Sequence, residues 1–101
     1  MLMNTTTILT YGSRVRLETV DPYGFCGRDQ HPAEADVGFL GVVVGNHVMY
    51  QDEDGDDVCR ENVLEGVEYA YTDEDWVAVC YKVRAADGRE LELMNHEIEV
   101  I

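Results

Sequence analysis

The chain reads as β-strands, with a period-two alternation in segments such as 14–18 and no periodicity from Asp21 to Gly38. No window sustains an apolar period of 3.6 residues, so strands rather than helices are expected. In Arg14-Val15-Arg16-Leu17-Glu18 the alternation aims Val15 and Leu17 at a core. Phe39 to Val44 is a continuous apolar run. Gly45-Asn46 after it reads as a two-residue hairpin turn, because both residues tolerate positive φ. That turn pairs Val43 with Val48. It sets Phe39, Gly41, Val43, Val48 and Tyr50 on one face and Leu40, Val42, Val44, His47 and Met49 on the other. Both faces are apolar, so residues 39–49 are expected to be covered on both sides, by the preceding loop or by a second copy of the chain.

Later turns can be tested by register. A three-residue loop at Ala86-Asp87-Gly88 pairs Val83 with Leu91 and Tyr81 with Leu93, and sets Arg84 opposite Glu90 and Lys82 opposite Glu92. Apolar meets apolar and opposite charges meet, whereas a two-residue loop mixes core with surface. The same reasoning at Asp73-Glu74-Asp75 pairs Tyr71 with Val77, Tyr69 with Val79 and Val67 with Tyr81. At Glu53-Asp54-Gly55 it pairs Tyr50 with Val58 but sets Asp52 against Asp56. Strands are thus predicted over 14–20, 39–44, 47–52, 57–61, 67–72, 76–85, 89–94 and 97–101. The expected fold is all-β, a small antiparallel barrel or rolled meander. It forms one domain over 1–101, with residues 1–10 as a flexible N-terminal segment.

One strand at Gly12-Ser13-Arg14-Val15-Arg16-Leu17, a long loop, the run Gly38-Phe39-Leu40-Gly41-Val42-Val43-Val44 and the Asp54-Gly55 turn follow in that order. Over residues 12–72 this order resembles the small barrels of the Src-homology-three type. The resemblance implies that Asp21 to Gly38 is the first ligand-binding loop and that residues 73–101 are an added C-terminal hairpin and edge strand. That family's aromatic pair and acidic cluster are not matched in the loop, where only Tyr23 and Phe25 are aromatic, so the resemblance carries architecture and no functional residue.

Charge narrows the choice of partner. Asp and Glu number 21 against 7 Lys and Arg, a formal net charge of −14 on 101 residues, and the cations form no cluster. Binding nucleic acid or an anionic membrane rests on neutralising phosphates, so neither is expected, and a basic protein partner is. Residues 1–10 hold no cation and no long apolar run, so no signal peptide is expected. Three cysteines without a close pair fit a reducing, cytoplasmic setting. A halophile would carry a similar acidic, lysine-poor surface, spread evenly over every face.

Candidate chemistry is sparse. The segment from Tyr23 to Pro32 gathers Cys26 as a nucleophile, His31 as its base and Asp29 to orient it, but no catalytic motif supports the trio and no enzyme is expected. Tyr23, Phe25, Arg28 and His31 are instead taken as contact candidates on a long loop. Zinc needs about four nitrogen or sulfur ligands. Cys26, His31, Cys59, Cys80, His47 and His96 contain no close pair, so neither a metal nor a cofactor is expected. Asp52-Glu53-Asp54-Gly55-Asp56-Asp57 fails the EF-hand spacing, with Gly55 too early and Val63 at the twelfth position.

The remaining reading is a surface. Asp52, Glu53, Asp54, Asp56, Asp57, Asp73, Glu74, Asp75, Glu90 and Glu92 would present carboxylates on a rigid sheet, with Trp76 as an apolar anchor. Alternate strand residues repeat about every 7 Å. DNA-mimic inhibitors, many of them encoded by mobile elements, use such a surface to block a nucleic-acid groove. The expected function is a non-enzymatic acidic module of this kind. Its rivals are an assembly module dimerising through residues 39–49 and a small enzyme using the 23–32 loop.

Overall fold

Valines and tyrosines, residues that favour strands, recur through most of the strands. The computed structural model describes residues 3–22, 28–72 and 77–101. In chain order the strands are β1 (Met3–Thr7), β2 (Arg14–Leu17), β3 (Leu40–Gln51), β4 (Asp57–Glu61), β5 (Glu68–Thr72), β6 (Val77–Arg84), β7 (Glu90–Met94) and β8 (Ile98–Val100). Two 3-10 turns, Glu34–Asp36 and Asn95–Glu97, are the only helical elements among the described residues. Among the described residues no helix is long and apolar enough to cross a membrane.

The fold is all-β and antiparallel. An open six-stranded sheet runs β7-β6-β3-β2-β8, with β4 also paired to β3, and β1 and β5 form a separate two-stranded ribbon. Val15, Leu17, Val43, Val48, Val79, Tyr81, Val83, Leu91 and Leu93 fill the core with Ile8. The ribbon contributes to the same core, since Tyr69 of β5 packs against it, as does Val67 just before that strand. Tyr81 ties the two sheets together, its hydroxyl accepting from the Leu9 N–H at 3.1 Å.

The turn at Ala86-Asp87-Gly88 has the predicted register, Val83 facing Leu91 and Arg84 facing Glu90. Gly88 sits at φ 90°, a conformation that disfavours any side chain. Tyr50 faces Val58 across the β3–β4 hairpin, also as predicted.

Three expectations fail. Gly45-Asn46 is not a hairpin turn, because β3 is one continuous strand of 12 residues. Its register against β6 shifts between Val43 and Gly45, so a β-bulge lies where the turn was expected. The Asn46 side chain turns inward, donating to the Val63 carbonyl at 3.0 Å and accepting from the Val63 N–H at 2.8 Å. Pairing of Tyr71 with Val77 is also absent: β5 pairs with β1, and β6 with β3 and β7. Lastly, residues 77–94 are no appendage, since β6 lies inside the sheet with neighbours on both edges. Gly41 shows how closely the strands approach, for a Cβ there would lie 2.6 Å from the Arg84 carbonyl oxygen.

Candidate functional site

The β3–β4 hairpin ends in a turn built by its own acid. Asp52 Oδ1 accepts from the N–H groups of Asp54 at 3.0 Å and Asp56 at 2.9 Å. The Asp52 N–H bonds the Asp56 carbonyl at 2.9 Å. The repulsion expected between Asp52 and Asp56 is thereby answered, because the Asp52 charge is spent on backbone donors. Glu53, Asp54, Asp56 and Asp57 remain exposed around it.

Downstream of that turn the acids continue. Between residues 51 and 68 the chain holds eight carboxylates and one cation, Arg60, a local net of −7 and thus half of the total −14. Arg60 is directed at the Tyr50 hydroxyl, 3.2 Å away, which raises its already high pKa. None of the eight carboxylates forms an ion pair among the described residues. Glu65 accepts from the Tyr11 N–H at 2.8 Å, and Glu61 and Glu68 are exposed.

At the opposite end of the β3–β6 ladder most of the arginines are paired with acids. Arg14 and Arg16 face the start of β3, and Arg84 lies at the end of β6. Arg16 binds Glu18 at 2.8 Å and Glu99 at 2.5 Å, Arg84 binds Glu90 at 2.5 Å, and Arg89 binds Asp36 at 2.6 Å. The Ala33 N–H and the Arg89 guanidinium hold Asp36 below the usual carboxylate range. Hydrogen bonding to Glu99 and Arg16 does the same for Glu18.

Several predicted contact residues are placed elsewhere. Asp73, Glu74, Asp75 and Trp76 lie outside the described residues, as do Tyr23, Phe25 and Cys26. Glu90 is half-buried in its pair with Arg84, and Glu92 is buried with Oε1 accepting from the Asp29 and Gln30 N–H groups at 3.1 and 3.3 Å. Glu92 is therefore no surface contact, although it faces Lys82 as predicted. Cys59 stands opposite Met49, as the register requires, but is exposed where a half-buried thiol was expected.

Arg28 also departs from its expected role. Its side chain and that of Glu97 are fully buried and paired at 2.5 Å. Arg28 further donates to the Glu92 carbonyl at 3.1 Å. Glu97 accepts from the N–H groups of Met94 and Asp21, each at 2.8 Å. This buried pair pins the long loop to the turn before β8, so Arg28 acts as an internal anchor and not as a loop contact. His31 remains exposed. Its Nδ1 lies 2.9 Å from the Pro32 carbonyl and its Nε2 2.8 Å from Arg28 Nη2, an arrangement that a ring protonated on Nδ1 fits. The Asp29 side chain is exposed and makes no hydrogen bond or ion pair among the described residues, so it does not orient His31.

On the non-core face of β2 and β3, Leu40 is 51% exposed and Val42 36%, and Ile101 beside them is 60% exposed. They line a shallow depression of about 450 Å³ with Arg14, Arg84 and Ala86. Comparison of the chain with protein families, with curated proteins and with solved structures found no match.

Proposed function

We propose that this chain is a non-enzymatic protein-binding module. Its acidic pole, residues 51–68, docks on a basic, nucleic-acid-binding surface of a partner in place of the nucleic acid. The supporting observation is the partition of charge: half of the net −14 sits on that stretch, and its carboxylates form no ion pair among the described residues, while Arg16, Arg84 and Arg89 are each paired with an acid. An acidity that served only salt tolerance would be spread evenly. Counterions held near such a pole are released when a cationic groove neutralises it, so binding should be strongly salt-dependent.

The test is a titration against a panel of basic nucleic-acid-binding proteins at about 50 and 200 mM salt. A saturable complex is expected that weakens with salt and is competed by duplex DNA. It should be lost in the variant E53Q/D54N/D56N/D57N, which leaves Asp52 to hold the turn. No saturable complex at the lower salt across the panel would remove the reading.

The fold is further read as a small Src-homology-three-like barrel, from the order of strand, long loop and hairpins over residues 12–72, with β6 and β7 belonging to its sheet and not added to it. A second functional reading, dimerisation through residues 39–49, is favoured by the exposed Leu40 and Val42. Sedimentation over a range of concentrations tests it. A dimer that Leu40→Asp disperses would establish that face as an interface, and a monomer at every concentration would dismiss it.

A further inference from the structure

Three neighbouring strands each place a potential metal ligand on the non-core face of the six-stranded sheet: His47 on β3, Cys80 on β6 and Glu92 on β7. His47 and Cys80 are direct cross-strand partners. Glu92 faces Lys82, two residues along β6 from Cys80, so alternation returns it to the same face. The ligand atoms of all three lie within 4.8 Å of one another, and His47 Nδ1 is 3.9 Å from Glu92 Oε2. A tetrahedral zinc ion draws nitrogen, sulfur and oxygen ligands to about 3.5 Å from one another, so closing the site takes shifts of about 1 Å.

The surroundings suit a cation. Glu92 Oε1 is held by the N–H groups of Asp29 and Gln30, while Oε2 is turned toward His47. An outer layer of hydrogen bonds that fixes a ligand's orientation in this way is usual around bound metals. His47 and Glu92 line an open depression of about 490 Å³ together with Asp29, Glu61, Cys59 and Lys82. Its three carboxylates outnumber its one ammonium, and Lys82 makes no ion pair with Glu92. Cys80 is buried beneath, packed beside Met49, Ala78 and Met94.

We propose that His47, Cys80 and Glu92 bind one zinc-class divalent cation, its fourth position open to the depression and filled by water. Binding releases the Cys80 thiol proton to solvent, and the thiolate becomes the sulfur ligand. The mixed donor set of imidazole, thiolate and carboxylate matches a borderline-soft ion and excludes magnesium and calcium, which favour oxygen. Sequence spacing offers no hint of the site, because its ligands come from three strands.

Cobalt(II) is the probe. The full chain, reduced and freed of metal by a chelator, is titrated with cobalt and then with zinc. The expected result is a thiolate-to-cobalt charge-transfer band that saturates at about one equivalent and is bleached by zinc. The band persists in C26S/C59S and disappears in C80S. H47Q and E92Q each weaken binding at least about tenfold. Absence of a sulfur-to-cobalt band in the folded wild type overturns the site. A band that is lost in C26S/C59S, or that keeps full affinity in H47Q, overturns it too. Should C80S fail to fold by circular dichroism, H47Q decides, because His47 is only half-buried and lies outside the apolar core.

Discussion

Removing one member of the Arg28–Glu97 pair leaves the other charged in a place without water. Such a loss costs about 3–5 kcal/mol, several times the worth of an exposed pair. Glu97→Ala is therefore expected to lower stability by that amount in denaturant unfolding, whereas Glu18→Ala, at an exposed pair, should shift the midpoint little. Tyr81 offers a second residue-level prediction. Burial pushes its hydroxyl pKa up, so the unfolded chain loses this proton first as the solution becomes alkaline. The resulting stability is complete below about pH 10 and is lost as pH rises toward the folded value. Tyr81→Phe should cost about 1 kcal/mol at neutral pH through the lost Leu9 bond, and should flatten the alkaline fall relative to wild type. Unfolding midpoints between pH 8 and pH 11 check both. At neutral pH, an unchanged midpoint would count against the Leu9 bond.

Among the elements, the bulge in β3 is the informative one. Its glycine is not in the left-handed region, and a Cβ on Gly45 would meet only Asn62 Oδ1 and Lys82 Cβ at 3.6 Å, an ordinary contact. Gly45→Ala is thus expected to be neutral or stabilising by up to about 1 kcal/mol. Gly88→Ala, forced to φ near 90°, should cost about 1–2 kcal/mol. Thermal unfolding of the two variants separates a bulge glycine from a turn glycine.

The same bulge explains what was legible in the sequence. A two-residue hairpin and a one-residue bulge both return Val43 and Val48 to one face, so hydrophobic parity could not tell them apart. The 86–88 turn was legible because charge and apolarity agreed on one register. Pairing of β1 with β5 was not, since Asn4-Thr5-Thr6-Thr7 carries β propensity without an apolar alternation. At the site, the acids around Asp54 were readable from composition. Glu61, Glu65 and Glu68 were missed, although a count over 51–68 contains them. The burial of Arg28, Glu92 and Glu97 depends on loop contacts distant in sequence, which no local pattern encodes.

On the scale of the whole molecule, uncompensated charge is a source of self-repulsion. Raising salt from about 0.01 to 1 M shortens the screening length from about 30 to 3 Å. Wild-type stability is therefore expected to rise with salt. The E53Q/D54N/D56N/D57N variant should be the more stable protein at low salt, and the difference should vanish at high salt. Calorimetry at the two salt concentrations checks this, and a gap that persists at high salt would assign the effect to local turn structure.

Because the 52–57 turn carries five carboxylates and stands at the end of the β3–β6 ladder away from Arg14, Arg16 and Arg84, the molecule is an electric dipole as well as an anion. In the field of a cationic partner it rotates while still diffusing, and it arrives hairpin first. Salt sensitivity should then reside in how fast complexes form rather than in how long they last, a distinction that stopped-flow mixing reads directly.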